Sequence, residues 1–172
     1  MPKNCDRRNK HTYAVRHDPP PYYTSLAGCA ASDVSYTQLA ADLSQGTLAA
    51  FSFVTPNLID DMHDGSIAQG DSWLSSHLSA ILQSSAYRAG TVAVFVTWDE
   101  GEGGGSNECA TNTGDVGCHV ATIVVSPSTA ARTNSSQLFN HYSLLRSTEQ
   151  LLGVAALGEA ASAPSMLSAF NL

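Results

Sequence analysis

Two apolar runs without polar alternation, TVAVFVTW at 91–98 and HVATIVVS at 119–126, constrain the fold more than any other feature. A strand with one wet face alternates apolar and polar residues, whereas a strand covered on both faces does not, and such strands belong to parallel sheets held between helices. AFSFV at 50–54 reads as a third, short buried strand, ended by Pro56. Between these runs the period changes to that of helices. YTQLAADLSQ at 36–45 is capped by Ser35 or Asp33 and stopped by Gly46; Asp71 caps a helix with Trp73, Leu74, Leu78, Ile81 and Leu82 at helical spacing. Asn140 caps HYSLLRSTEQLL, with Leu144, Leu145, Thr148, Leu151 and Leu152 directed inward and Gly153 as the stop. The order strand, helix, strand, strand, helix predicts an α/β fold with a mainly parallel sheet flanked by helices. Residues 1–35, with Pro19, Pro20 and Pro21 in a row, predict an irregular N-terminal segment.

At 172 residues the chain has the size of a single domain. Eight basic residues against 15 acidic ones give a net charge of −7, so no basic stripe is available to release counterions, and nucleic acid is excluded as an expected partner. No apolar run reaches the ~20 residues of a transmembrane helix, and the opening MPKNCDRRNKH lacks the apolar stretch of a signal peptide. Four cysteines fall into two neighbourhoods, Cys5 with Cys29 and Cys109 with Cys118. They lack the close paired spacing of a zinc site and suit two local disulfides of an exported protein; the other reading is four free thiols in a reducing cytosol.

The polar residues that carry chemistry follow the strands. PNLIDDMHDG comes directly after 50–54, and WDEGEGGG directly after 91–97. In a parallel sheet, loops beyond the carboxyl ends of the strands converge on the ligand. Asp99 and Glu100 stand on the end of a rigid strand, and Gly101, Gly103, Gly104 and Gly105 let the backbone turn sharply toward a ligand. GEGGGS opens no helix and is no dinucleotide fingerprint. The oxygen donors Asp99 and Glu100, with Asn57, Asp60, Asp61 and Asp64, point to a hard divalent cation such as Ca²⁺, Mg²⁺ or Mn²⁺. The bland reading of DDMHD is an exposed acidic loop, and that of Asp99–Glu100 a solvated turn. His63 is a candidate general acid, phosphate hydrogen-bond donor or softer metal ligand. His77 reads as structural and His141 as part of a helix start. No GxSxG elbow supports a Ser-His-Asp hydrolase.

Six blocks in order resemble the bacterial phosphoesterase family of acid phosphatases and phospholipases C, a branch of the alkaline phosphatase superfamily. They are YAVRHDPPPYY at 13–23, FVTPNLIDDMHDG at 53–65, GDSWL at 70–74, VFVTWDEG at 94–101, HVATIVVSP at 119–127 and NHYSLLRSTEQLLG at 140–153. The resemblance implies a partial alkaline-phosphatase-like core, a metal held by Asp99 and Glu100, and a phosphate pocket containing His63 and His17, with Asn57 and Asp61 facing substrate. It implies cleavage of a phosphate monoester or a phospholipid by a hydroxyl nucleophile, and a secreted or extracytoplasmic location.

In that family the nucleophile and a Glu-Asn metal pair come from an N-terminal half. No matching block precedes residue 17, so residues 1–172 are expected to form one domain that is the C-terminal part of a longer phosphoesterase. Two functions follow as expectations: a metal-assisted phosphoesterase, inactive as this truncated chain if the nucleophile is missing, or a non-catalytic exported domain binding a cation or phosphate. Apolar faces left without their neighbours predict self-association.

Overall fold

The computed structural model describes residues 1–101, 109 and 114–172. They fall into two compact units, Met1–Ala86 and Tyr87–Leu172.

The first unit begins, as expected, with irregular backbone. Two 3₁₀ turns, Val15–His17 and Pro20–Tyr22, precede a one-turn helix α1 (Cys29–Ser32). Cross-links hold this segment where a core cannot: the Cys5–Cys29 disulfide, the Asn4 side chain donating to the Ala30 carbonyl at 2.9 Å, and a Lys10–Tyr13 bridge. Helix α2 (Thr37–Gln45) ends on Gly46 in the left-handed conformation (φ +70°), as its position predicts. Its N-cap is Tyr36, without a side-chain bond, rather than Ser35 or Asp33. Asp33 is instead buried. The cap of helix α3 (Ile67–Gln83) lies five residues before the expected Asp71, at Ser66. Ser66 forms a capping box with Gln69, which satisfies two orphan N–H groups that Asp71 would have left open. α2 lies against α3. Tyr36 packs on Trp73 and His77 at ring distances of 5.3 and 4.9 Å, and the His77 Nδ1 bonds the Trp73 carbonyl at 2.7 Å. His77 is therefore a packing residue.

The expected strand at 50–54 does not form: Phe51, Phe53 and Val54 lie in irregular, exposed backbone. A short apolar run becomes a strand only where another strand satisfies its backbone groups, and none of the described residues pairs with it.

Helix α4 (Ser85–Arg88) precedes the second unit's sheet of β1 (Val94–Thr97) and β2 (Thr122–Val125). The chain is α/β, but the predicted parallel sheet is overturned: β1 and β2 pair antiparallel, Val94 opposite Val125 and Thr97 opposite Thr122. Parallel pairing needs a crossover, usually a helix, that returns the chain to the starting end. Between the strands the described residues hold only a 3₁₀ turn (Val116–Cys118), and the Cys109–Cys118 disulfide closes the return. The strands are also not covered on both faces: β1 is half-buried throughout, and Thr122 and Ile123 are exposed.

Helix α5 (His141–Leu152) has the expected bounds, an Asn140 cap and a left-handed Gly153 stop. Its buried face is not the leucine face. Ser143 and Ser147 are fully buried and Glu149 is 3% exposed, while Leu145, Leu151 and Leu152 are exposed. The C-terminal segment, a 3₁₀ turn (Gly158–Ala161) and α6 (Leu167–Phe170), packs there. Its backbone N–H groups need acceptors. Met166 donates to Ser147 Oγ and Leu157 to Glu149 Oε1, both at 2.8 Å.

Candidate phosphate-binding site

In the first unit the loop 57–65 is folded by its own polar side chains. Asn57 Oδ1 accepts from the N–H groups of Ile59 (2.9 Å) and Asp60 (3.3 Å), and its amide donates to Asp60 Oδ2 at 2.6 Å. This is an Asx turn, so Asn57 shapes the loop. Met62 takes a left-handed conformation (φ +73°), which turns the chain before His63. Two glycines admit that turn. A Cβ on Gly65 would collide with the Ile59 carbonyl, and one on the buried Gly70 of α3 would lie 2.5 Å from Met62 Cγ and 3.1 Å from the Asp60 carbonyl oxygen. The glycine opening the GDSWL block thus lets α3 pass close beneath the loop.

Asp61 joins the two histidines. Its Oδ1 accepts from the His63 N–H at 2.8 Å and its Oδ2 lies 3.0 Å from His17 Nδ1, with the carboxylate side chain only 16% exposed. The imidazoles stand 5.6 Å apart at 51°. A proton on His17 Nδ1 donates to Asp61, which leaves Nε2, without a hydrogen bond among the described residues, to face a ligand.

His63 is held at both nitrogens, Nδ1 by Asp64 Oδ1 at 3.1 Å and Nε2 by Arg16 Nη2 at 3.2 Å. Since guanidinium only donates, Nε2 accepts and Nδ1 carries the proton. Arg16 was not singled out by the sequence reading. Its signal was its place beside His17 in RHDP, where two consecutive residues put a cation and an imidazole on one turn. Exposed Arg16 and half-buried His17 present donors suited to a phosphate's oxygens, beside exposed His63, whose two ring nitrogens are engaged by Asp64 and Arg16.

Tyr13 and Asp18 support this turn from behind. Tyr13 Oη lies 2.7 Å from Asp18 Oδ2 and 2.9 Å from the Asp6 carbonyl oxygen. Burial foremost, then the Asp18 carboxylate, holds the phenol above its usual range. Asp33 is 6% exposed. Its carboxyl is pushed up to about 6, first by burial and then by the charge of and hydrogen bond with Asp18, against the Cys5 backbone and terminal amino group that lower it.

In the second unit Asp99 and Glu100 directly follow Trp98 and are exposed. The Asp99 carbonyl is bonded by His141 Nε2 at 2.8 Å, so the first residue of α5 fixes the backbone at the predicted metal pair. Gly101 is required here: a Cβ would lie 2.6 Å from the Val116 carbonyl oxygen and 2.9 Å from that of His119, and its N–H donates to Gly117 at 2.9 Å. Gly103, Gly104 and Gly105 lie outside the described residues. The carboxylates of Asp99 and Glu100 have the hard-oxygen chemistry of a Ca²⁺, Mg²⁺ or Mn²⁺ ligand, but such ions take six or more oxygens, and the described residues gather no third acidic, histidine or cysteine ligand around them. Among the described residues the one such grouping is Cys5, Cys29 and Asp33, and its sulfurs are joined to each other.

Known proteins are similar to much of this chain. A phosphatidylinositol-3-phosphatase of Mycobacterium tuberculosis is 41% identical over 117 residues, covering 68% of this chain and 34% of that protein. Acid phosphatases of Aspergillus niger (27% over 120 residues, 68% of this chain and 26% of that one) and Aspergillus fumigatus (24% over 152 residues, 85% and 32%) match as well. The chain therefore spans about a third of the length of the curated relatives it matches. No solved structure matches it. The model of the phosphoesterase family matches residues 3–155, a stretch that contains Arg16, His17, Asp61, His63, Asp99 and Glu100, and the chain belongs to the phosphoesterase family.

Proposed function

We propose that this chain supplies the phosphate-binding histidines of an enzyme that hydrolyses phosphate esters, as the C-terminal part of a longer phosphoesterase domain. The observation that carries the reading is the Arg16–His17–Asp61–His63 cluster. Arg16 and His17 complement charge on the phosphoryl oxygens as it develops, His63 holds the Arg16 guanidinium in place, and Asp61 keeps His17 in one tautomer and orientation. His17 and His63 are the catalytic pair; Asp61 acts through His17, and Asn57 through the loop it folds. In the second unit Asp99 and Glu100 would hold a divalent cation, which when bound supplies Lewis-acid chemistry. Substrates are phosphate monoesters or phospholipid head groups. The two disulfides support an oxidising, extracytoplasmic setting, and among the described residues no helix is long and apolar enough to cross a membrane.

The share of the relatives' length favours a second reading, phosphate or cation binding without turnover by this chain alone. Hydrolysis of p-nitrophenyl phosphate, with and without EDTA, beside calorimetric binding of inorganic phosphate, separates the two. Turnover lost in both His63→Ala and Asp99→Ala/Glu100→Ala supports the enzyme; phosphate binding lost in His63→Ala, with no turnover in any protein, supports the binding domain. Phosphate binding unchanged in His17→Ala/His63→Ala sinks both.

A further inference from the structure

The turn that carries His17 rests on a group the reaction does not use. Asp33 is buried with its Oδ2 lacking a partner among the described residues, although buried carboxylate oxygens are normally satisfied. It faces Asp18, whose Oδ2 accepts from Tyr13. Two carboxylates side by side in a sheltered patch cannot both ionise cheaply, so they hold one proton between them. Tyr13 donates to Asp18 and thereby stabilises the anion there, which places the proton on Asp33. That proton turns an acceptor without a donor into a donor toward Asp18. The other charged groups acting on this cluster are Asp6, beside Tyr13, and the terminal amino group, beside Asp33. Asp18 also closes the Val15–His17 turn, its N–H donating to the Val15 carbonyl at 3.0 Å, one residue from His17.

We propose that Tyr13, Asp18 and Asp33 form a proton-holding brace that positions His17 against Asp61, closed while the carboxyl pair keeps its proton and loosened when that proton is lost to solvent. The inference rests on His17 binding phosphate. The direction agrees with the raised Asp33 carboxyl: in acid the pair is neutralised, and above about pH 6 two anions face each other and push Asp18, and with it the His17 turn, away. All three are positioning residues.

The test compares the full chain with Asp33→Asn, which mimics the protonated acid in shape, and with Tyr13→Phe, which removes the hydroxyl that localises the proton. Three signals are followed between about pH 5 and about pH 7.5: the ¹³C carboxyl resonance of Asp33, the His17 Nδ1–H proton, and calorimetric affinity for inorganic phosphate. The expected result is an Asp33 resonance that stays protonated at the acid end, and a His17 Nδ1–H signal that fades toward the alkaline end in the wild type but persists in Asp33→Asn. Affinity of Asp33→Asn relative to wild type should be near unity in acid and about tenfold higher at the alkaline end, the equivalent of one unit of carboxyl shift. Tyr13→Phe should move the loss of the His17 signal to a different pH without changing the Asn variant's behaviour when combined with it. An Asp33 resonance that titrates in the ordinary aspartate range near 4, or a His17 signal with the same pH course in wild type and Asp33→Asn, overturns the brace. If neither protein binds phosphate at any pH, the phosphate-binding reading fails, and the two resonance readouts still decide the brace.

Discussion

Asp61 touches both histidine segments with one carboxylate, and its two contacts differ in kind. The bond to the His63 N–H shapes the loop, whereas that to His17 Nδ1 selects a tautomer. Asp61→Asn keeps the first and presents an amide to the second. It should therefore weaken phosphate binding by about tenfold with little change in melting temperature, while Asp61→Ala loses both, read by calorimetry beside thermal denaturation. Gly70 is the converse case, a residue with no chemistry that admits the loop. Gly70→Ala gains helix propensity worth about 1 kcal/mol but drives Cβ into Met62, an overpacking cost of about 1–3 kcal/mol. A net loss of stability is expected, and Met62→Ala in the same chain should relieve it; equal melting temperatures for wild type and Gly70→Ala would refute the close approach. DDMHDG and the Asp-Glu pair stood out in the sequence because charged and imidazole groups cluster there, whereas His17 entered only through the family resemblance. The roles within these blocks were not legible, because whether Asp61 faces substrate or His17 depends on backbone 44 residues away.

Among the elements, the glycine stops and the α5 cap were the most legible, the starts of α2 and α3 were misplaced, and the faces were the least legible. Gly46, Asn140 and Gly153 act through their own backbone conformation or a side chain three residues off, so a local reading suffices. The face of α5 is decided by partners at 157 and 166, and the leucine period pointed the wrong way. The N-terminal segment owes its order to cross-links. Removing Cys5–Cys29, which spans 24 residues, by Cys5→Ser/Cys29→Ser should lower stability by about 3 kcal/mol in chemical denaturation. The same segment should show a pH-dependent stability with a defined sign. Asp33 has a folded-state carboxyl raised from 3.8 to about 6, so between those values the unfolded chain releases a proton that the folded one keeps, and stability falls as pH rises through this window. Below it the contribution is fully present. Asp33→Asn should flatten the slope in urea titrations across that range; an unchanged slope would assign it to other carboxyls.

At the scale of the molecule, exposed large apolar side chains outnumber buried apolar ones among the described residues. Among the described residues the buried apolar ones are Ala14, Ala160 and Met166, whereas Leu138, Leu145, Leu151, Leu152, Val154 and Leu157 of the second unit are exposed. Among the described residues the sheet has two strands and no further strand on either outer edge, and such a sheet is marginal alone. Concentration-dependent self-association is therefore expected in sedimentation velocity, reduced by Leu145→Glu/Leu152→Glu; a monodisperse monomer at every concentration would contradict it. The sequence by itself determined the α/β class, the caps of α5, the cysteine pairing by neighbourhood, the acidic balance and the blocks that carry the family, since each is written in local pattern or composition. Tertiary structure decided the antiparallel pairing of β1 with β2, the failure of 50–54 to become a strand, the buried serine face of α5 and the joining of His17 to Asp61. Each of these depends on which distant backbone satisfies a given polar group, and a local period carries no information about partners that far along the chain.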